Sequence, residues 1–482
     1  MADGTLLHQM VTELLPVLAE VWLLLGSFAL LVLVLAGRRF RVIWNTTIVL
    51  ILGALYLQYS FWQEGLAAYE MLQVNYLTHF AKIVILLGTL ISLLTSYDYL
   101  RTEKLDQPEY CVLIIIATLG MLLMVSANTL LAIYVALELQ SLCLFILAGF
   151  HRQSVRSAEA GLKYFVLGAL ASGIMLYGMS LTYGASGTLT FTGIAALQSY
   201  PHLLLMGMAL MCVGFAFKVS AVPFHMWTPD VYEGAPMPIT GYFATAAKFA
   251  ALILFAQVLL GPFSDVQDQW QPIVLAISVL SMAWGAVAAI GQRRIKRLLA
   301  YSSIGHVGYA LVGLAVATTD GLTALLIYMA IYVVTTGGVF GCLMRLRKQG
   351  VLIEEIEDLA GLGVARPTIA FGLLIFVFSL AGIPPLAGFF GKLIIFGAAL
   401  DAGYIWLAVF AALTSVVGAF YYLRLIKIMY FDEAPSPWDR PATQIAARMT
   451  IGVCAVIVTL FLLIPQRIYS LADRAVDSFL PF

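Results

Sequence analysis

Apolar residues in this chain come in long unbroken blocks separated by short polar stretches, and the pattern repeats from end to end. Fourteen blocks can be marked, near 14–36, 42–62, 77–98, 110–126, 129–150, 158–183, 203–227, 237–260, 272–291, 298–317, 321–344, 367–400, 404–430 and 446–465. Many run for about 20 residues, the length an α-helix needs to cross the apolar core of a bilayer. A membrane β-barrel would instead show short segments of alternating polarity. The pattern therefore predicts an all-α polytopic membrane protein of about fourteen transmembrane helices, forming a single membrane domain over residues 1–482. The seventh and twelfth blocks contain prolines in mid-run, at Pro223 and Pro384, and are expected to be broken helices.

The basic residues test this count. Loops between odd-numbered blocks and their successors, with the block ends that flank them, hold nineteen Lys and Arg, among them Arg38, Arg101, Arg152, Arg294, Arg345, Arg366, Arg424, Arg440 and Arg448. Even-numbered loops and the N-terminal tail hold none, and the C-terminal tail holds Arg467 and Arg474. Basic loops stay in the cytoplasm. In a bacterial cytoplasmic (inner) membrane both termini would then face the periplasm.

Composition narrows the function. The chain has 482 residues, 62% apolar and 11% charged, with a formal net charge of zero, so it offers no basic face to nucleic acid. Cys111, Cys143, Cys212, Cys342 and Cys454 lie far apart, and no CxxC occurs, so neither a zinc site nor an iron–sulfur cluster is expected. No GxGxxG or Walker sequence appears. No cofactor is expected in this chain. The N-terminus lacks the basic region of a signal peptide, so the first block is expected to be a retained helix.

Beyond those twenty-one, five basic residues remain, all inside apolar blocks: Lys82, Lys163, Lys218, Lys248 and Lys392. A charge at mid-bilayer costs about 2.5–3.5 kcal/mol on insertion scales, so it needs a partner, a wet cavity or a function. Desolvation disfavours the charged form, so a buried lysine can exchange a proton near neutral pH, and a movable carboxylate can switch it. Glu138, deep in block five, is expected to pair with Lys218. His225 follows the first proline break, Lys248 lies in block eight, His306 in block ten, and Lys392 follows the second break. A lone histidine in an apolar helix is more often structural; here His306 stands between two buried lysines in chain order, which favours a relay. Lys163, four residues after Glu159, is either half of a surface pair or a cytoplasmic intake for protons. Lys82 reads as a side chain snorkelling to the outer interface, and Glu20 as a buried carboxylate with no evident partner. Sodium requires a cage of oxygen ligands, whereas this row offers protonatable nitrogens.

The two broken segments resemble each other. Ser220-Ala221-Val222-Pro223 can be laid on Ala381-Gly382-Ile383-Pro384, a shift of 161 residues or five spans. An odd number of spans inverts the second copy. Residues 110–260 (helices 4–8) and 272–430 (helices 9–13) are thus expected to be inverted repeats, an arrangement that places transport sites in secondary transporters.

The stretches FKVSAVPFHMWTPDVYEGAPMPIT, ATAAKFA, RRIKRLLAYSSIGHVGYALVG and SLAGIPPLAGFFGK resemble the antiporter-like subunits of respiratory complex I, the proton-pumping NADH:quinone oxidoreductase. The resemblance covers roughly residues 110–430. The wording VPFHMWTPDVYEGAP and the lysine in block twelve are closest to the N-type branch. The resemblance implies a proton-translocating membrane-arm subunit driven by quinone reduction in other subunits, with no redox catalysis in this chain. It implies that Glu138 modulates Lys218, that Lys248 is the central relay lysine, that His225 and His306 bridge the axis, and that Lys392 exchanges protons with the outside. Ala247 stands beside Lys248 where the family often has serine. The implied partners are a neighbouring antiporter-like subunit, small membrane subunits and the lipid bilayer. Two other readings remain: a subunit of a multi-component sodium/proton antiporter, and a non-conducting membrane scaffold whose buried charges only join helices.

Overall fold

The structure is a computed structural model that describes residues 13–197, 201–434, 437–439, 445–463 and 465–479. Seventeen helices carry the architecture: α1 (Leu18–Leu35), α2 (Phe40–Ser60), α3 (Tyr76–Thr102), α4 (Glu109–Ser126), α5 (Leu130–Ala148), α6 (Val155–Ser186), α7 (His202–Val219), α8 (Trp227–Gly234), α9 (Met237–Leu260), α10 (Gln267–Ile290), α11 (Ile295–Ala315), α12 (Thr319–Leu343), α13 (Pro367–Ala381), α14 (Ala387–Asp401), α15 (Ile405–Phe431), α16 (Ile445–Leu460) and α17 (Pro465–Asp477). Among the described residues, 13 helices are long and apolar enough to cross a membrane. The interrupted pair α13–α14 supplies the fourteenth span, as the hydropathy predicts.

The loops segregate to two ends. Arg156 pairs with Glu354 at 3.1 Å and Arg347 with Glu103 at 2.5 Å, so the loops after α3, α5 and α12 meet one another. At the other end, the loop before α3 meets the one after α4, where the Asn128 amide donates to the Met71 carbonyl at 2.8 Å. The odd, basic loops therefore share one end. Arg440 lies outside the described residues.

Helices α4, α9, α11 and α12 form the buried centre, with α9 wholly enclosed. Small residues permit this density: a Cβ on Gly285 of α10 would come within 2.4 Å of the Gly305 amide nitrogen on α11. The last helix, α17, is amphipathic and follows the final span. It buries Ala472, Ala475 and Val476, and Tyr469 reaches Asp320 at the start of α12.

Two expectations are corrected here. Lys82 does not snorkel: it is 0% exposed and its Nζ lies 2.6 Å from Glu20 Oε1, with Glu20 3% exposed. The stem points inward because α3 packs in the bundle on the face that carries Lys82, and the partner waits on α1. The helix breaks are also set before their prolines. The α7 helix ends when Ser220 turns left-handed (φ 66°), and the Ala221 amide reaches back to the Ala216 carbonyl at 2.8 Å. The α13 helix ends when Gly382 does the same (φ 85°), with the Ile383 amide donating to Phe378 at 3.0 Å. Both are Schellman-type endings, and the prolines follow where a helix cannot continue. The shared geometry pairs Ser220 with Gly382, one residue out of step with the alignment read from letters alone.

Candidate proton-relay site

Local structure sets up each lysine differently. Lys218 sits in the last turn of α7, just ahead of the break. Lys248 begins the second α-helical part of α9, directly after a π-helical stretch at Phe243–Ala247. Such an inserted turn rotates the residues that follow it and often marks a functional position. Lys392 stands one turn and a half into α14, beyond the second break.

Lys218 Nζ donates to Ser141 Oγ at 2.7 Å, and Ser141 follows Glu138 by one turn of α5. The expected direct ion pair is absent: Glu138 is half-buried, its buried Oε1 has no hydrogen-bond partner among the described residues, and it acts on Lys218 through space. The serine hydroxyl occupies the contact because it lies on the turn of α5 that Lys218 faces. A cavity of about 20 Å³ joins Lys218 to Lys248, bordered by Gln140 and Ser141. That is room for about one water with several polar neighbours.

Lys248 Nζ donates to Ser303 Oγ at 2.6 Å and lies over the Tyr232 ring at 5.3 Å. The preceding residue, Ser302, contacts the Tyr422 hydroxyl from α15. Tyr422 Oη is 2.9 Å from His306 Nε2, and His306 Nδ1 is 2.6 Å from Tyr328 Oη. Two small cavities of about 10 Å³ each run from His306 to Lys392. Lys392 Nζ is held by Ser415 Oγ at 2.8 Å and by the carbonyls of Leu380 and Ala381 at 3.1 and 3.0 Å. Those carbonyls close α13 and have no partner within their own helix, and the negative end of the helix dipole favours a cation there.

At the basic-loop end, Lys163 Nζ bonds both Glu159 and Asp230 at 2.7 Å. Arg297 bonds Asp230 at 2.8 Å and Glu233 at 2.9 Å, and Arg294 also contacts Glu233. These groups line an open cavity of about 310 Å³. Lys163 is thus in a surface pair and, through Asp230 on α8, beside the first break.

The structure brings Lys218, Lys248, His306 and Lys392 into one row, linked by cavities and hydroxyls except between Ser303 and Ser302, which are joined only as chain neighbours. His225 stays apart: its ring faces Trp284 edge-on at 6.2 Å, and its buried Nδ1 has no partner among the described residues. Sequence reasoning missed Ser141, Ser303, Ser415, Tyr328, Tyr422 and Asp230. Hydroxyls in apolar helices mostly bond their own preceding turn, as Thr47 and Thr245 do here, so they carry no distinguishing signal. Among the described residues no cluster could hold a metal ion.

Fourteen spans, two of them broken, around buried lysines define an antiporter-like membrane subunit. Residues 127–418 match the family described as NADH:quinone oxidoreductase/Mrp antiporter, TM. The NADH-quinone oxidoreductase subunit N of Rhodospirillum rubrum is 51% identical over 403 residues, 83% of this chain and 82% of that one. The subunit N of Parvibaculum lavamentivorans is 46% identical over 480 residues, 98% and 99% of the two chains. Among solved structures, a chain of respiratory complex I from Thermus thermophilus superposes with a TM-score of 0.81 at 32% identity, covering 94% of this chain and 99% of its own. A chain of the Mrp complex from a Dietzia species gives 0.84 at 20% identity, covering 96% and 97%, a likeness of fold alone. The chain belongs to the NADH-quinone oxidoreductase subunit N family.

Proposed function

We propose that this chain translocates protons in an NADH:quinone oxidoreductase along the row Lys218–Lys248–His306–Lys392, with Glu138 setting the charge state of Lys218. The observation that carries the reading is the near-continuous polar path between the lysines. One cavity wide enough for a water spans Lys218 and Lys248, and Ser303, Ser302, Tyr422, His306 and Tyr328 extend the path toward Lys392. Each member has a nitrogen or hydroxyl that can both give and take a proton.

Glu138 supports the reading because, among the described residues, it forms no ion pair with Lys218 and its Oε1 has no hydrogen-bond partner. A carboxylate locked to Lys218 would hold its proton, whereas one acting through space can vary its grip with a small shift of α5. Protons enter from the basic-loop side, where the Lys163–Asp230–Arg297 cluster reaches α8 and the first break. They leave at Lys392, which the end carbonyls of α13 hold until the half-helix moves. By the distribution of basic loops, the intake faces the cytoplasm and the termini face the periplasm. Quinone reduction in other subunits supplies the drive. The partners are the adjoining membrane-arm subunits, including a neighbouring antiporter-like subunit, and the two inverted repeats supply one half-channel each.

Reconstitution of the assembled enzyme in vesicles tests this. Lys248→Ala and Glu138→Gln are expected to leave NADH-dehydrogenase assembly intact and to reduce quinone-driven proton uptake by roughly tenfold or more. Full uptake in either variant would sink the relay and leave the scaffold reading. Uptake that requires added sodium would instead favour a sodium-coupled mechanism.

A further inference from the structure

A groove of about 790 Å³ runs between α13 and α16 on the outside of the bundle. Its walls are apolar, formed by Ile369 and Ile375 on one side and Ile451, Val456 and Leu460 on the other. At its basic-loop end stand Arg345, just after α12, Arg366, just before α13, and Arg448, in the first turn of α16. Glycines keep the floor open. A Cβ on Gly452 would meet nothing within 4 Å, and one on Gly372 would touch Cys342 and Ile451 only at 3.6 and 3.7 Å.

The three arginines share the mouth of the groove. Arg366 Nη1 donates to the Arg345 carbonyl at 3.0 Å, and Arg366 is 8% exposed. Burial disfavours the charge on Arg345; Asp98 opposes that and Arg448 adds to it. At Arg366 burial acts in the same direction, with Asp439 opposing and Arg345 adding. Asp98 also interacts with Arg101. Three cations against two carboxylates leave positive charge in excess at the mouth of an apolar slot.

We propose that this groove binds one anionic phospholipid, with its phosphate on Arg366 and Arg448 and its acyl chains between α13 and α16. Guanidinium forks match phosphate oxygens in bidentate geometry. Basic pockets between membrane helices on the cytoplasmic side select anionic headgroups. A free phosphate would leave the apolar walls uncovered, and a neutral lipid would leave the excess of positive charge unmatched. The site has a mechanical consequence: α13 ends in the carbonyls that hold Lys392, so a lipid along its outer face braces the same half-helix.

The test uses the purified enzyme complex, depleted of lipid and then exposed to phosphatidylcholine vesicles containing a minority of phosphatidylglycerol. Native mass spectrometry counts the lipids retained. The wild type is expected to keep one phosphatidylglycerol that both Arg448→Gln and Gly452→Trp lose, with phosphatidylcholine retention unchanged. Arg448 is exposed and Gly452 opens on free space, so neither change threatens folding. Equal retention in all three proteins would overturn the proposal. So would loss in only one variant, since headgroup and chains must both matter. A neighbouring subunit's helix filling the groove in a density map of the complex would overturn it as well. The lipid count does not depend on proton transport, so it stands or falls separately from the relay.

Discussion

The two breaks end their first half-helices in the same way but load their lysines differently. At the first, Lys218 precedes the break and turns away to Ser141, while the Phe217 carbonyl accepts both the Ser220 amide and the Trp227 indole, each at 3.0 Å. At the second, Lys392 follows the break and takes the orphaned carbonyls itself. On the register set by Ser220 and Gly382, the position matching Lys392 is Asp230, which binds Lys163 and Arg297. A shared backbone device thus serves two electrostatic tasks. The first end gathers charge near the basic loops and leaves Lys218 lightly held; the second seats a cation against a helix C-terminus.

The largest expected effect comes from replacing the lysines by residues that keep the charge but cannot release it. Arginine does not deprotonate in proteins. Lys218→Arg and Lys392→Arg should each cut vesicle proton uptake by about tenfold or more. If arginine restored full uptake at either position, that lysine would be a static partner and the breaks would differ only in packing. Next, Gly388→Ala should disrupt the second break alone, because its Cβ would lie 1.8 Å from the Ser379 carbonyl oxygen. Overpacking of this kind costs about 1–3 kcal/mol or more, and it should appear as loss of the chain from the purified complex.

A smaller contrast separates the lysine seats. Ser141→Ala removes the hydrogen bond to Lys218, a charged-group bond of about 1.5–3 kcal/mol, and should slow uptake several-fold. Ser415→Ala leaves Lys392 its two carbonyls and should slow uptake less. Equal effects would show that the carbonyl seat contributes nothing. The smallest effect is expected from Ser220→Gly, which relieves a left-handed non-glycine residue and removes a buried hydroxyl that has no partner among the described residues. It should stabilise the complex by about 1 kcal/mol, visible as a modest rise in thermal midpoint, with uptake unchanged.

Much of the fold was legible because bilayer physics writes itself directly into sequence. A span must be apolar for its full length, and basic loops collect on one side, so span number, loop alternation and the odd lysines follow from position alone. The site was legible only in part. Lys218, Lys248, His306 and Lys392 stood out as charges where charge is costly. Lys82 stood out too, yet its partner Glu20 lies 62 positions earlier and nothing local links them. His225, prominent beside Pro223, faces Trp284 away from the row.

The sequence by itself determined a multi-span helical membrane protein with two interrupted helices and ionisable groups retained in its interior. The tertiary structure alone decided which hydroxyls connect those groups, that Glu138 stays clear of Lys218, that Lys82 pairs with Glu20, and which carbonyls hold Lys392. The physical reason is range. Hydropathy and helix endings act over a few turns of one chain segment. A hydrogen bond of 2.6–2.9 Å between spans depends on how helices distant in sequence are packed and rotated against each other.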